Sequence, residues 1–149
     1  MSSLSQRQER QAHGLLLLGL VLFLIGLLTG LISGGMANPR MGLSAHLEGL
    51  MNGMFLALLG LLWPRLVLGP VALSSAFWLV IYAAFANWLG VLLAGIWGAG
   101  AGMMPIAAQG MAGSGTQEAI IAFLLISLSV AMVVGVIMAI WGLWRGRHQ

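Results

Sequence analysis

Four long apolar segments constrain the fold of this chain more than any other feature of its sequence. They cover about residues 14–33, 44–63, 70–97 and 117–144, and each reaches the roughly 20 apolar residues that a helix needs to cross a bilayer. Charged residues make up only 6% of the chain, whereas a soluble domain carries about 25%. The sequence therefore predicts an all-α fold, in which residues 1–149 form a single four-helix bundle embedded in a membrane.

Prolines and a capping residue predict where the helices begin and end. Ser44 is a good N-cap for the second helix, and Pro64 cannot continue that helix. Pro70 suits the first turn of the third helix. The connection over residues 98–116 is long and uncharged. We expect it either to pack back on the protein or to form a mobile cover over a site.

The basic residues predict the orientation in the membrane. All six are arginines, and with four spans five of them fall on one side, which the positive-inside rule identifies as cytoplasmic. Only Arg40 falls on the other side. Both termini are therefore predicted to be cytoplasmic. Because the arginines flank separate apolar segments, they form no patch of the kind that binds nucleic acid.

The second segment contains the strongest candidates for function, namely His46, Glu48 and Asn52. Ionisable side chains at membrane depth cost roughly 2.5–3.5 kcal/mol each on insertion scales, so they are candidates by default. At about 1.5 Å per residue, a helix that starts at Ser44 places His46 roughly 3 Å and Asn52 roughly 12 Å below the outer end. Asn87 on the third helix is then expected at the level of Asn52.

A helical wheel separates these side chains into two stripes. His46 shares one stripe with Gly49 and Gly53, while Glu48 and Asn52 form another. Glycines at this spacing let either a second helix or a flat cofactor approach the backbone closely, and the sequence leaves both interpretations open. The same spacing in the first segment, at residues 26 and 30, is interpreted as helix packing.

Metal chemistry is restricted by what the sequence lacks. The chain has no cysteine, so disulfides and thiolate ligands are excluded. His13 lies at the cytoplasmic end of the first helix, about a membrane thickness from His46. The two histidines are therefore not expected to bind one metal ion from opposite faces.

These residues resemble the hydroxylaminobenzene mutases, which are small bacterial four-helix membrane proteins of nitroaromatic breakdown. The resemblance rests on residues 38–53, which read NPRMGLSAHLEGLMNG, and on residues 85–88, which read FANW. The mutases are similar in turn to the styrene oxide isomerases, with which this chain shares His46-x5-Asn52-Gly53 and His13-Gly14. The resemblance extends from His13 to about Gly142.

The resemblance implies an enzyme that uses haem. The isomerases are trimers that hold ferric haem b between neighbouring subunits, with the residue matching His46 as axial ligand, and the iron acts as a Lewis acid. Carried over, the resemblance implies a homotrimer in which His46 binds the iron. The predicted cofactor contacts are His46, Arg40, Gly49 and Gly53. The predicted catalytic residues are Asn52, Asn87 and Glu48, with Glu118 as a second candidate for proton transfer.

The resemblance also favours one reaction among its relatives. The pocket tyrosine of the isomerases falls on Val91 in this chain, so the tyrosine is absent, which favours the rearrangement of arylhydroxylamines to 2-aminophenols. The expected location is the bacterial inner membrane. An epoxide-to-aldehyde isomerase and a non-catalytic haem protein stay open as alternatives. A small exporter that works through Glu48 is a third, although a carboxylate roughly 6 Å from the helix end is shallow for proton-coupled transport.

Overall fold

The computed structural model describes residues 3–146 of the chain, and its side chains from residue 6 onward. The α-helices of this part are α1 (Ser3–Ile32), α2 (Pro39–Leu62), α3 (Pro70–Trp97), α4 (Pro105–Ala108) and α5 (Gly115–Gly146). All but α4 are long and apolar enough to cross a membrane. The predicted all-α class and the predicted set of four candidate spanning helices are therefore confirmed for the described residues.

The long helices pack mainly on their neighbours in the chain. Helix α1 packs on α2, α2 on α3, and α3 on α5, so α2 and α3 form the centre of the bundle. The largest core cluster joins α1, α2 and α3 around Trp63, which is fully buried. The indole N–H of Trp63 donates to Oε1 of Gln11 on α1 at 3.2 Å. This bond satisfies the one polar atom of a side chain that is otherwise packed in apolar surroundings.

Helix α2 begins at Pro39, so the predicted start at Ser44 is wrong. Asn38 is the N-cap, because its Oδ1 accepts a hydrogen bond from the backbone N–H of Met41 at 3.1 Å. Pro39 follows in the first turn, where a missing N–H costs nothing. Ser44 lies inside the helix, and its hydroxyl bonds the carbonyl oxygen of Arg40 at 3.1 Å.

The earlier start of α2 changes the depths of its polar residues. Counted from Pro39 at about 1.5 Å per residue, His46 lies about 11 Å, Glu48 about 14 Å and Asn52 about 20 Å along the helix. All three are therefore about 8 Å further from the helix start than predicted. The predicted depth of Glu48 was the objection to an exporter that works through this residue. Because Glu48 lies deeper than predicted, that objection no longer holds.

The bounds of α3 and α5 agree with the ranges predicted from the sequence, to within two residues, whereas the start of α1 does not. Helix α3 spans Pro70–Trp97 as predicted, and it ends at Gly98, whose φ of 61° lies in the left-handed region that favours glycine. Helix α5 extends two residues beyond the predicted range of 117–144 at each end. Helix α1 instead begins at Ser3, because the polar residues ahead of the apolar segment continue the same helix.

The connection between α3 and α5 packs back on the protein, which was one of the two alternatives. The side-chain amide of Asn38 donates to the carbonyl oxygens of Ala107 and Ala108 at 3.1 and 3.3 Å. The carboxylate of Glu118 accepts from four backbone N–H groups of the connection at 2.8–3.3 Å. These four donors belong to Gly100, Ala101, Gly102 and Gly113. Glu118 therefore holds the connection against the first turn of α5.

Candidate functional site

Glu48, Asn52 and Asn87 form one hydrogen-bonded group, which we call the carboxylate–amide cluster. Oε2 of Glu48 accepts from Nδ2 of Asn52 at 3.0 Å and from Nδ2 of Asn87 at 2.6 Å. Nδ2 of Asn52 also donates to the backbone carbonyl oxygen of Glu48 at 2.9 Å. The three residues predicted to be catalytic are therefore joined through one carboxylate oxygen, to which both amides donate.

The cluster forms because of helix periodicity and the contact between two central helices. Glu48 and Asn52 are four residues apart, so their side chains stand one above the other on α2. Asn87 faces them from α3, which packs on α2. Because both amides reach the same carboxylate oxygen, the prediction that Asn52 and Asn87 share a level is confirmed. Asn52 is only 7% exposed, whereas Glu48 and Asn87 are partly exposed, so the cluster lies at the edge of the helix contact.

His46 is oriented by α1 on another side of α2. Its Nδ1 lies 2.8 Å from the carbonyl oxygen of Gly26, and since a carbonyl only accepts, Nδ1 is the protonated nitrogen. A side-chain carbon on Gly30 would lie 2.6 Å from the same Nδ1, so a glycine is needed there to make room for the imidazole. Nε2 has no hydrogen-bond partner among residues 6–146. A free Nε2 beside an anchored Nδ1–H is the arrangement typical of a histidine that binds a metal.

His46 and the carboxylate–amide cluster lie on opposite edges of an exposed apolar strip of α2. At 100° per residue, the strip between His46 and Glu48 contains Leu47, Met51 and Met54. These three side chains are 46–54% exposed. A single chain therefore presents the imidazole and the cluster on either side of a surface that it leaves uncovered.

The glycines of α2 contact α1. A side-chain carbon on Gly49 would lie 2.5 Å from Cα of Gly26, and one on Gly53 would lie 2.6 Å from the backbone nitrogen of Phe23. Both glycines are buried. The space beside them is occupied by the backbone of α1, so helix packing accounts for both positions within one chain.

Arg40 lies apart from the other predicted site residues. It is exposed in the first turn of α2, and its guanidinium makes no hydrogen bond or ion pair to any residue between 6 and 146. The structure therefore does not bring Arg40 to His46 or to the cluster within one chain.

His13 is too far from His46 to share a metal ion with it, as predicted. His13 precedes Gly26, the residue bonded to His46, by 13 positions on α1, which corresponds to about 20 Å along the helix. Within the described part of the chain no group of three or more histidine, cysteine or acidic side chains is arranged to hold a metal ion. Among the described residues, His46 is therefore not part of a cluster of such side chains.

No tyrosine joins the cluster. Val91, the position at which the resemblance implies the pocket tyrosine of the isomerases, is 4% exposed in a core cluster with Met41 and Ala45. The single tyrosine of the chain, Tyr82, bonds Oγ of Ser127 on α5 at 2.6 Å. The hydroxyl group is therefore directed to another helix.

Two residues of α1 and one of α3 contribute to the surroundings of the site but were not identified as such from the sequence. Gly26 and Gly30 were interpreted as packing residues, although they also bond and accommodate His46. Trp88 was not singled out, yet its indole N–H donates to Oγ1 of Thr29 at 3.2 Å beside Gly49. The repeated glycine spacing on α1 and α2 was the available signal, since it indicates where two helix backbones meet.

The amino-acid sequence is similar to those of known proteins. The family model described as "Styrene oxide isomerase" matches residues 11–144. Hydroxylaminobenzene mutase HabB of Ectopseudomonas oleovorans is 59% identical over 132 residues, which cover 89% of this chain and 80% of that protein. Hydroxylaminobenzene mutase HabA of the same organism is 49% identical over 127 residues, covering 85% and 94%. No solved structure matches the chain. The resemblance inferred from residues 38–53 and 85–88 is thereby confirmed.

Proposed function

The chain belongs to the styrene oxide isomerase family, and we propose that within it the protein acts as a hydroxylaminobenzene mutase. This enzyme is an isomerase that converts arylhydroxylamines of the hydroxylaminobenzene type to 2-aminophenols. Both similar proteins described above carry that activity in their names. The structural observation that supports the proposal best is the carboxylate–amide cluster, which offers hydrogen-bonding groups at the edge of the contact between two apolar helices.

The reaction needs no external reagent. The N–O bond of Ar–NH–OH breaks, the oxygen forms a bond to the ortho carbon, and the hydrogen lost from that carbon restores the amine. Substrate and product have the same atoms and the same number of electrons, so the reaction is an isomerisation that requires neither an oxidant nor a nicotinamide cofactor. The enzyme has to hold the substrate oxygen near the ring and to keep water away while positive charge spreads over nitrogen and ring.

The surroundings of His46 would suit a histidine that holds a haem. The bond from Nδ1 to the carbonyl oxygen of Gly26 fixes the direction of the ring and leaves Nε2 free, so that Nε2 would be the atom that holds the iron. Gly30 supplies the space in which the imidazole lies. When bound, ferric haem b would supply a Lewis acid that weakens the N–O bond.

The side chains of the cluster would position the substrate. Asn52 and Asn87 can hydrogen-bond the N–H and O–H groups of an arylhydroxylamine, and Glu48 holds both amides in place. The apolar residues of α2 and α3 would surround the aromatic ring and exclude water. Asn52 and Asn87 are thus proposed as catalytic residues. Gly49 and Gly53 contribute by packing α2 on α1.

A homotrimer would complete the site between neighbouring copies. The exposed strip of Leu47, Met51 and Met54 separates His46 from the cluster on the same helix. A second copy seated on this strip would bring its own cluster opposite the first copy's imidazole and would cover the apolar surface. The proposed location is the bacterial inner membrane, with both termini cytoplasmic as the positions of the arginines favour.

The proposal is tested by supplying hydroxylaminobenzene and styrene oxide in parallel to the purified protein and analysing the products by liquid chromatography. We expect 2-aminophenol from the first compound and little phenylacetaldehyde from the second. The visible spectrum of the same sample should contain a Soret band that His46→Ala removes. Dominant turnover of styrene oxide would establish an epoxide isomerase instead, and a spectrum typical of bis-histidine ligation without turnover would indicate an electron-transfer protein.

A further inference from the structure

Asn52 has no N–H left to offer a ligand. Its Nδ2 carries two hydrogens, and both are used within the chain: one is donated to the backbone carbonyl oxygen of Glu48 at 2.9 Å and the other to Oε2 of Glu48 at 3.0 Å. Oδ1 of Asn52 has no partner among the side chains and backbone of the described residues. Asn52 is therefore available only as a hydrogen-bond acceptor.

The orientation of the Asn52 amide follows from its backbone partner. A carbonyl oxygen accepts hydrogen bonds and cannot donate them, so the nitrogen of the amide has to face the carbonyl oxygen of Glu48. This bond would be lost if the amide turned over, and two oxygens would then face each other. The orientation consequently does not depend on the protonation of the Glu48 side chain.

The free polar atoms of Asn87 and Glu48 are also mostly hydrogen-bond acceptors. Asn87 donates one N–H to Oε2 of Glu48 at 2.6 Å, which leaves it one N–H and its Oδ1. Oε1 of Glu48 is also free of partners within residues 6–146. No buried side-chain nitrogen or oxygen of the described chain lacks a partner, so these free oxygens lie on accessible surface. The cluster presents three acceptor oxygens and one N–H donor.

We propose that Glu48 is a positioning residue that accepts hydrogen bonds from both N–H groups of Asn52 and leaves only Oδ1 of Asn52 free. The site would then select aromatic ligands that carry an N–H or O–H donor. This inference rests on the proposed function and specifies its substrate class. An arylhydroxylamine carries both donors at its reacting group and can satisfy Oδ1 of Asn52. The oxygen of an epoxide or ether can accept from the one free N–H of Asn87, but it has no hydrogen to donate and leaves Oδ1 of Asn52 unpaired.

The energetic reason for selection is the cost of an unpaired polar group. A site built to bond a hydroxyl or amine discriminates strongly against an analogue that lacks it, because the site's own polar atom is then left without a partner. The selection therefore does not require a residue that repels epoxides. It requires that Glu48 keep the second N–H of Asn52 occupied.

Two substitutions separate this role from a purely structural one. In Glu48→Ala the bond from Asn52 to the backbone carbonyl remains, while the second N–H of Asn52 is released and can donate to a ligand. In Glu48→Gln an amide oxygen can still accept from Asn52 and Asn87, so the released donor is taken up again. Ser44→Ala removes an exposed hydrogen bond on the same helix and is the matched control.

The test measures equilibrium binding of benzyl alcohol and benzyl methyl ether to the purified full-length protein by titration calorimetry in detergent. Binding is independent of turnover, so it stays interpretable even if the protein does not convert hydroxylaminobenzene. We expect the wild-type protein and Ser44→Ala to bind the alcohol about fivefold to tenfold more tightly than the ether. The preference should fall below about twofold in Glu48→Ala and return in Glu48→Gln. Equal binding of both probes by the wild-type protein, or an unchanged preference in Glu48→Ala, would overturn the inference.

Discussion

The carbonyl oxygen of Gly26 lies 2.8 Å from Nδ1 of His46, which joins α1 to α2 at the imidazole. The bond assigns the proton to Nδ1 and leaves Nε2 free. Gly30, one turn further along α1, provides the space for the ring. The direction of the imidazole is therefore set by two glycines of another helix.

Gly30→Ala should impair His46 without unfolding the protein. The new side-chain carbon would lie 2.6 Å from Nδ1 of His46, and the movable imidazole gives way more easily than the backbone. Partners that orient a metal ligand are worth about 10–100-fold in affinity or activity, so we expect a loss of that size in mutase activity. Gly34→Ala is the control, since a side-chain carbon there meets nothing within 4 Å. Equal activity of the two variants would contradict the assigned role of Gly30.

Asn52→Ala and Asn87→Ala should not act independently. Each removes a donor to the same oxygen of Glu48. Either substitution alone therefore already disrupts the cluster, and adding the second should lower activity by a smaller factor than it does in the wild-type protein. We expect each single variant to lower kcat/KM about tenfold, and the double variant to lose at least threefold less than the product of the two. The measurement is a double-mutant cycle on hydroxylaminobenzene turnover. Losses that multiply, as we expect for Asn52→Ala combined with Ser44→Ala, would argue against a shared cluster.

Gly53→Ala should lower stability through the contact between α1 and α2. Its side-chain carbon would lie 2.6 Å from the backbone nitrogen of Phe23 and 2.7 Å from the carbonyl oxygen of Gly19. Backbone atoms cannot move aside cheaply, and overpacking of this kind costs about 1–3 kcal/mol. Thermal unfolding in detergent should give a Tm several degrees below that of Gly35→Ala, where the added carbon meets nothing within 4 Å. A Gly53→Ala variant as stable as this control would show that the helices are not in close contact there.

Glu118→Ala should loosen the connection between α3 and α5 while leaving the chemistry intact. The substitution leaves four backbone N–H groups of that connection without their acceptor. We expect faster proteolysis within residues 98–114 and a lower Tm, with turnover reduced by less than about threefold at low temperature. A pH–rate profile that changes shape in Glu118→Ala would instead revive its role in proton transfer.

The sequence predicted the grouping of Glu48, Asn52 and Asn87 better than it predicted the ends of the helices that carry them. Helical spacing brought Glu48 and Asn52 together, and counting residues brought Asn87 to their level, because both depend only on regular helix geometry. The start of α2 was misplaced because Ser44 is a good cap in isolation, whereas Asn38 and Pro39 together are a stronger one.

The periodicity of the sequence could not predict which residues meet between neighbouring helices. The spacing of Gly49 and Gly53 indicated a close approach, but only the packed structure distinguishes a helix backbone from a cofactor as the neighbour. The bond from His46 to Gly26 depends on how α1 and α2 are rotated about their axes, which no single helix specifies. Haem at His46 and the homotrimer stay predictions.

The most direct test of the account is to incubate the purified protein with hydroxylaminobenzene in water labelled with ¹⁸O, without any other reagent. We expect unlabelled 2-aminophenol, because the substrate's own oxygen moves to the ortho carbon while the cluster holds it and water is excluded. The yield should fall about tenfold in Asn52→Ala, in line with the loss of one substrate hydrogen bond. A product that carries ¹⁸O, or no 2-aminophenol at all, would contradict the proposed isomerisation.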